Sequence, residues 1–279
     1  MNDLEKVLIA IDYIETHLME KLDLDKIAQA THYSKFHLHR SFTKTVGLTI
    51  YEYSRRRQLS EAAKLLVFSN KSIVDIALLS GYSSQQAFAT MFKAMYKQSP
   101  NQFRENNVYY PLQLKYKLEG HTSAIHFGDT GNVSAITFAT EKDIPSWIEL
   151  TRLVIDGFPY LNEEDYLITL KRCIKQKEAL ILKEEDIAIG IMLFSSKSGS
   201  IEFLGVHPLY RSKGITELFL DKVWNEFFKD KEVISITTYR DGDKADTGYR
   251  EELKELGFAE AELLTEFGYP TQKFIMKKK

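Results

Sequence analysis

The stretch SKFHLHRSFTKTVG, residues 34–47, decides the fold of the first third of the chain. Ser34 is a residue that helices favour as an N-cap, and Gly47 is the residue type that most often follows a helix C-terminus. Between them Leu38 and Phe42 lie one helical turn apart, while most other positions are polar or cationic. The pattern predicts an amphipathic helix with a free polar face.

The same organisation occurs twice in the first hundred residues. The segment 23–30, DLDKIAQA, predicts a short helix before the quoted stretch, and residues 50–68 predict a long helix after it. About fifty residues later a second short helix at 73–80 leads through a glycine turn into SQQAFATMFKAMY at 84–96. A short helix, a turn and a second helix form a helix-turn-helix motif. Residues 1–105 therefore predict an all-α domain with two such units.

The formal net charge of −2 hides an asymmetry between the two halves of the chain. From Lys26 to Arg104 there are 12 basic and 3 acidic residues, which gives 12 − 3 = +9. From Asn106 onward there are 23 basic and 28 acidic residues, which gives −5. A basic half beside an acidic half indicates a polyanionic partner for the first, although a chance distribution of surface charge gives the same totals.

Three motifs carry a resemblance to a known family. SKFHLHRSFTKTVG, IALLSGYSSQQAFATMFK and SPNQFRE, with the Arg-rich helix between the first two, closely resemble the DNA-binding domain of AraC/XylS-family transcription regulators. The likeness covers nearly all of residues 3–105. It implies double-stranded DNA as partner, with one recognition helix per unit in successive major grooves, roughly 34 Å apart.

The resemblance implies which side chains face the bases. They are Phe36, His39 and Arg40 in the first unit, and Gln85 and Gln86 in the second. The chemistry is suitable, since Arg bonds guanine and Gln bonds adenine in bidentate fashion. Alternatively Phe36 packs in the core, and the four polar residues only form a solvated surface.

Cationic residues around these positions are predicted to neutralise phosphates, which sets affinity and its salt dependence. They are Lys35, Lys44, Arg55, Arg56, Arg57 and Lys93. The second unit departs from the family pattern at two places. Thr90 stands where some relatives carry a base-reading Arg, and Lys97 replaces a frequent Gly. We therefore expect the second unit to discriminate between bases more weakly.

Residues 106–132 show no helical period and contain several Gly and Pro breaks. The alternation in LQLKYKL, residues 112–118, predicts a short strand within a linker. His121 and His126 have no neighbouring pattern of metal ligands, so we assign no metal site. The predicted domains are thus 1–105, the linker 106–132, and 133–279.

The second domain alternates strand and helix patterns in the order β-α-α-β-β-β-α-β-α-β-β, which predicts an α/β domain around one mixed sheet. Its most informative segment is VHPLYRSKGITELFL, residues 206–220. A strand there ends in a turn that opens a helix. Backbone N–H groups at a helix start favour an anion, although a plain strand-to-helix turn would have a similar sequence.

The order of elements and this segment resemble the GNAT family of acyl-CoA-dependent N-acetyltransferases, over about residues 133–279. Arg211, Gly214 and Thr216 occupy the places of the family's Arg/Gln-x-x-Gly-x-Gly/Ala pattern. The resemblance implies that acetyl-CoA or another acyl-CoA binds as cofactor. Its pantetheine arm would follow Leu204, Gly205 and Val206, and its pyrophosphate would meet the backbone of Arg211, Ser212, Lys213, Gly214, Ile215 and Thr216.

The catalytic residues implied by this family are only partly present. Glu202 stands where members often carry a general base, and an outward-facing strand carboxylate is the alternative. The usual acid, a Tyr, is replaced by Leu253, and Tyr249 lies one turn earlier as a poor substitute. Whether the domain is an enzyme or an acyl-CoA sensor is therefore left open.

The remaining features indicate the expected location, role and partners of the protein. One cysteine, Cys173, excludes an internal disulfide, and acidic residues near the N-terminus exclude a signal peptide, so we expect a cytoplasmic protein without a membrane span. Its expected role is a DNA-binding regulator that senses or uses an acyl-CoA. The alternative is an N-acetyltransferase whose N-terminal half only targets it or binds a partner. An amine acceptor and a second copy of the chain are the other candidate partners.

Overall fold

The computed structural model describes residues 3–20, 22–116, 135–154, 163–211, 213–266 and 269–277. It divides the chain into two compact units, Met1–Ile125 and His126–Lys279. Among the candidate residues, Ser212, His121 and His126 lie outside the described ranges.

The first unit is all-α, as predicted. Its described helices are α1 Asp3–Thr16, α2 Leu24–Thr31, α3 Lys35–Val46, α4 Ile50–Phe68, α5 Ile73–Leu79, α6 Gln85–Tyr96 and α7 Pro100–Asn106. Helices α2 and α3 form one helix-turn-helix pair, and α5 and α6 form the second. The long helix α4 connects them.

The two pairs are built by the same local rules, fifty residues apart. Ser34 caps α3 by accepting from the N–H of His37, and Ser84 caps α6 in the same way, with 84 − 34 = 50. Thr49 and Ser99 then form capping boxes at the starts of α4 and α7, with 99 − 49 = 50. Caps of this kind depend on residues within one turn, which is why the sequence alone locates the helix starts.

The C-terminal caps of α3 and α6 also correspond. Gly47 ends α3 with φ 77°, and Lys97 ends α6 with φ 60°. Both residues are in the left-handed conformation, in which a glycine costs less than any residue with a Cβ. Lys97 therefore adopts the same cap geometry as Gly47 at a higher conformational cost, and its Nζ donates to the carbonyl of Ala94 at 2.8 Å.

Helix α4 contributes to the core on both sides. Its C-terminal half buries Leu59 and Ala63 against Phe88, Phe92 and Phe103 of the second pair. Nearer its start, the fully buried Tyr53 meets Phe42 of α3, with ring centroids 5.8 Å apart. The apolar stripes predicted from the sequence thus converge on this helix.

The second unit follows the predicted order of elements. They are β1 Thr137–Phe138, α8 Ile144–Val154, α9 Glu163–Gln176, β2 Ala179–Glu184, β3 Ile187–Ser195, β4 Ser200–Val206, α10 Ile215–Glu226, β5 Val233–Tyr239, α11 Tyr249–Glu255, β6 Ala259–Glu266 and β7 Tyr269–Lys277. The strands form one sheet in the order β1-β2-β3-β4-β5-β7-β6. Strands β4 and β5 are parallel and the other neighbours are antiparallel, so the sheet is mixed.

Helices cover both faces of this sheet. A Cβ on Gly190 would lie 2.6 Å from the ring of Phe219, so α10 packs directly on that face of β3. The next residue, Ile191, points to the other face, where it joins a buried cluster with Trp147 of α8 and Leu170 of α9. Burial on both sides explains the nearly continuous apolar run of β3.

Strands β4 and β5 part soon after they meet. They pair only at Ser200↔Ser235 and Ile201↔Ile236, although each strand has seven residues. The register of the β3–β4 ladder shifts at Leu193/Phe194, and such a bulge bends a strand. As a result, residues 202–206 of β4 have no ladder partner on the β5 side among the described residues.

The segment that follows α7 differs from the prediction of a linker with a strand. Residues 107–116 form no strand and pack on the first unit, with Leu112, Gln113 and Tyr116 buried. The N–H groups of Leu112 and Gln113 donate to the hydroxyl of Ser60 instead of to a neighbouring strand. The remainder of the predicted LQLKYKL strand, residues 117–118, lies outside the described ranges.

Within the described ranges, no helix combines the length and apolar character that a membrane crossing requires.

Candidate functional site

Helix α3 presents the first set of predicted base-facing residues. Phe36, His39 and Arg40 are all exposed, and 72 % of the Phe36 surface is accessible. On the opposite side Leu38 and Phe42 are fully buried. The alternative that Phe36 packs in the core therefore does not apply, because the helix has turned it toward solvent.

Helix α6 presents the second set. Gln85 and Gln86 are exposed in its first turn, directly after the capping Ser84. Thr90 is exposed one turn further along the same face, while Phe88 and Phe92 fill the core behind it. This face can offer amide and hydroxyl groups to a ligand.

The connecting helix sets the scale of the surface. Helix α4 has 19 residues and therefore spans about 28 Å at 1.5 Å per residue. That length approaches the roughly 34 Å of one turn of duplex DNA. Helix α4 thus sets the distance over which the two helix-turn-helix pairs are connected.

Four of the predicted phosphate contacts lie at or near the surface. Lys35, Lys44 and Lys93 are exposed, and Arg55 is half-buried. Lys35 forms an exposed ion pair with Asp25, with 2.6 Å between Nζ and Oδ1. An exposed pair of this kind contributes little to stability, so the ammonium can exchange its partner for a phosphate.

Arg56 and Arg57 contradict the prediction that they neutralise phosphates, because both are buried. Consecutive helical residues point about 100° apart, so three adjacent arginines cannot share one face. Arg57 forms a two-point bond with Glu15 at 2.8 and 2.9 Å, and also donates to Glu61 and to the carbonyl of Gln113. Its role is therefore structural.

This buried network also includes Tyr53, whose hydroxyl donates to Glu15 at 2.8 Å. Burial raises the pKa of Tyr53, and the negative charge of Glu15 raises it further. Burial alone would lower the pKa of Arg57, but its bonds to Glu15 outweigh that effect and raise it. Arg57 therefore keeps its proton and its positive charge. In the sequence only the spacing of four residues between Arg57 and Glu61 indicates this network. Glu15 lies on another helix, so local spacing does not reveal its contact with Arg57.

In the second unit the described residues between β4 and α10, 207–211 and 213–214, lead directly into the helix. Residues Pro208–Tyr210 form one 3-10 turn, and Gly214 precedes α10 with φ 71°. Among the described residues no side chain caps the first turn of α10, and a Cβ on Gly214 would meet only the carboxylate of Glu217, at 3.5 Å. The helix start thus leaves space beside its backbone N–H groups.

Side chains around this turn bond to the β2–β3 hairpin and to α11. The hydroxyl of Tyr210 donates to Glu184 at the β2–β3 hairpin, and Lys213 lies over the Tyr210 ring at 5.1 Å. Thr216 is buried and donates to Glu252 of α11 at 2.8 Å. Arg211 is half-buried. The side chain of Thr216 is therefore engaged in packing α10 on α11.

The β4 edge lies just before this turn. Leu204, Gly205 and Val206 pair with β3 on one side and have no ladder partner toward β5 among the described residues. A Cβ on Gly205 would lie 2.8 Å from Val154 of α8, so the glycine is needed for helix packing as well.

The two catalytic candidates lie in different environments. Glu202 is exposed on β4. The Tyr249 hydroxyl is buried and has no hydrogen-bond partner among the described residues, and its pKa is raised by burial and then by Glu252. Leu253 is completely buried. A buried, high-pKa hydroxyl is unsuited to protonating a leaving thiolate, so this geometry argues against Tyr249 as the acid.

Across the described ranges, no group of three or more His, Cys, Asp and Glu side chains is placed to hold a metal ion.

Comparison with family models and curated proteins concerns the first unit. A helix-turn-helix domain model matches residues 27–106. The chain is 46 % identical over 98 residues to the HTH-type transcriptional activator AarP of Providencia stuartii, covering 35 % of this chain and 73 % of AarP. It is 45 % identical over 98 residues to the probable transcription factor PqrA of Proteus vulgaris, covering 34 % and 80 %.

Three further matches cover between 34 % and 52 % of this chain. An uncharacterised HTH-type transcriptional regulator of Bacillus subtilis, YbfP, is 42 % identical over 94 residues, which are 34 % of this chain and only 32 % of YbfP. Among solved structures, an AraC-type regulator from Chromobacterium violaceum aligns over 37 % of this chain and 93 % of its own, with 29 % identity and a TM-score of 0.36. A GNAT-family acetyltransferase from Bacillus cereus aligns over 52 % and 96 %, with 18 % identity and a TM-score of 0.40.

Proposed function

The chain belongs to the AraC/XylS family of DNA-binding transcription regulators, and from that premise we propose that α3 and α6 read the two halves of one duplex site. One observation carries the proposal. Each second helix of a pair buries its apolar side and exposes Arg40 or Gln85 and Gln86 on the other.

The exposed chemistry differs between the two halves of the site. Arg40 can donate two bonds to guanine O6 and N7, and Gln86 can bond both N6 and N7 of adenine. Lys35, Lys44 and Lys93 would set the affinity by meeting phosphates, without reading sequence. We therefore expect a guanine-containing half-site for α3 and a more weakly specified, adenine-containing half-site for α6.

A binding selection from random duplexes tests this proposal. The full chain should enrich one bipartite site. Arg40→Ala should relax the preference at one guanine by about 1–3 kcal/mol, whereas Lys44→Ala should weaken binding to all sequences alike. Competition titrations with point-mutated duplexes measure both effects.

The matched lysine variant makes the result decisive. If Arg40→Ala and Lys44→Ala changed the affinity for every duplex by the same factor, the assignment of Arg40 as a base reader would be wrong. If the full chain bound no duplex at low salt, the proposal would fail as a whole, and the alternative of a partner-binding N-terminal half would replace it.

We propose further that the second unit binds acetyl-CoA or another acyl-CoA. Two observations support this proposal. Residues 202–206 of β4 have no ladder partner on the β5 side among the described residues, and no side chain caps the start of α10 at Gly214. Backbone groups of residues 204–206 would bond the amide-containing pantetheine arm. The pyrophosphate would bind the N–H groups of residues 211–216, where the helix dipole favours an anion.

Gly214→Glu tests this site. The change places bulk and negative charge beside the helix start, so we expect CoA binding measured by calorimetry to disappear. Gly242→Glu is a matched control, because Gly242 has φ 69° in a loop of the same unit and nothing within 4 Å of its added Cβ. Because the two glycines have φ values of 71° and 69°, the two variants carry similar backbone strain. Equal loss of CoA binding in both, or unchanged binding in Gly214→Glu, would contradict the site.

The geometry favours a sensor over an enzyme. Acetyl transfer to an amine benefits from a base that accepts the amine proton and an acid that protonates the thiolate. Glu202 is exposed and suits the base, but Leu253 and the buried Tyr249 leave the acid unassigned. Incubation with acetyl-CoA and a panel of amines should therefore release little thiol. Rapid release that Glu202→Gln abolishes would establish an N-acetyltransferase instead.

A further inference from the structure

Residues 107–116, called the strap here, run from the end of α7 across α4. Their anchor is Ser60, which is fully buried in the middle of α4. The Ser60 hydroxyl accepts from the N–H groups of Leu112 and Gln113 at 2.9 and 3.0 Å, and donates to the carbonyl of Arg56 at 2.8 Å. All three hydrogen-bonding positions of this hydroxyl are therefore used. The two acceptor positions hold the strap, and the donor bonds within α4.

One end of the strap belongs to the core of the second helix-turn-helix pair. Leu112 is buried in the cluster that contains Phe92 and Phe103. The Tyr110 ring lies 5.2 Å from Tyr96 of α6 and 5.3 Å from Phe103 of α7. These contacts tie the strap to the helix that presents Gln85 and Gln86.

The other end belongs to the first pair. Tyr116 stacks on Tyr53 at 5.4 Å, and Tyr53 in turn packs on Phe42 of α3. Lys115 forms an ion pair with Asp12 of α1 at 2.8 Å. The strap therefore also reaches the core behind Arg40.

We infer that the strap fixes the relative placement of α3 and α6, and thereby the spacing between half-sites that the protein accepts. A single helix such as α4 is one connection between the two pairs, and helices bend. The strap adds a second connection alongside it, so twisting one pair against the other would break contacts at both ends. Ser60 and Tyr116 are positioning residues, and the inference rests on the proposed duplex-reading function.

Binding to duplexes of altered spacing tests the inference. The probe is the site selected by the full chain, beside a version with one base pair inserted between its halves, which separates them by about 3.4 Å more. For each protein the measured quantity is the ratio of the Kd for the lengthened site to the Kd for the native site. Ser60→Ala and Tyr116→Ala should lower this ratio by roughly five- to thirty-fold relative to the unmodified chain.

Ser69→Ala is the matched control. Ser69 is the C-cap residue of α4, and its hydroxyl donates to the carbonyl four residues earlier, that of Leu65, as the Ser60 hydroxyl does to that of Arg56. It makes no strap contact among the described hydrogen bonds, so its ratio should equal that of the unmodified chain.

The ratio separates positioning from stability. A variant that is only less stable binds both duplexes more weakly by one factor, and such a result in Ser60→Ala and Tyr116→Ala would overturn the inference. Tyr116→Ala removes a ring without leaving unpaired amides around Ser60, so it remains informative if Ser60→Ala does not fold. Failure of the unmodified chain to bind any duplex would instead refute the proposed function.

Discussion

Arg40 and Arg57 have the same side chain, and burial gives them opposite roles. Arg40 is exposed on α3, whereas Arg57 is nearly inaccessible in α4 and is bonded to Glu15, Glu61 and the carbonyl of Gln113. A guanidinium whose donors are already occupied in the interior has no means to reach a phosphate. Within the run RRR, residues 55–57, the local sequence does not show which side chain is bonded in the interior.

Arg57→Ala is therefore expected to affect stability and not DNA contacts. Removing Arg57 leaves the buried carboxylate of Glu15 without its cationic partner, and the loss lowers the free energy of unfolding by about 3–5 kcal/mol. Urea unfolding followed by the helical circular dichroism signal measures the loss. Arg55→Ala serves as control, because Arg55 is half-buried on the same helix, and it should change the unfolding free energy far less. Equal effects of the two substitutions would contradict the structural role of Arg57.

At the scale of elements, α3 and α6 have the same caps and cores but different charge. The exposed face of α3 carries Lys35, Arg40 and Lys44, while the exposed face of α6 carries one cation, Lys93, and the uncharged Thr90. Because α6 has fewer cations, it is expected to contribute less to the electrostatic part of the affinity.

Thr90→Arg tests whether this face of α6 meets the duplex. The added cation should steepen the slope of log K against log salt concentration by about 0.9 and tighten binding at low salt. Gln176→Arg adds the same charge at an exposed position in the second unit and should leave the slope unchanged. A slope in Thr90→Arg identical to that of the control would show that α6 does not face the phosphates.

At the scale of the whole molecule, the chain joins a basic unit to an acidic unit. The first unit, Met1–Ile125, has 16 basic and 12 acidic residues, which gives +4, and the second unit has 21 and 27, which gives −6. These charges assign attraction to DNA to the first unit, and the second is repelled by the same polyanion. If the second unit is a sensor, its ligand and the duplex must influence each other's affinity through the chain that connects the units.

This coupling is reciprocal by thermodynamic necessity. If saturating acetyl-CoA changes the Kd for the selected duplex by some factor, saturating duplex must change the Kd for acetyl-CoA by the same factor, typically about 5- to 150-fold. Fluorescence anisotropy with labelled DNA and calorimetry with acetyl-CoA measure the two sides. No change in either Kd would exclude the sensor role while leaving both binding proposals intact.

Local rules explain how much of the fold was predictable. The starts of α3 and α6 follow from Ser34 and Ser84, whose hydroxyls bond N–H groups three residues away. The order of strands and helices in the second unit follows from periodicity in the same way. The predicted strand in 112–118 was wrong over its described part, because its amides bond Ser60, 52 and 53 residues earlier.

The sequence by itself determined most of the elements, the caps of α3 and α6 and the two repeated helix-turn-helix pairs, because each depends on neighbours within one or two turns. Only the tertiary structure decided which arginines are buried, where the chain after α7 runs, and where β4 parts from β5. Arg57 meets Glu15 across 42 residues and Gln113 across 56. Contacts at such separations arise from packing, since the cores on both sides of α4 must be closed before these groups become neighbours.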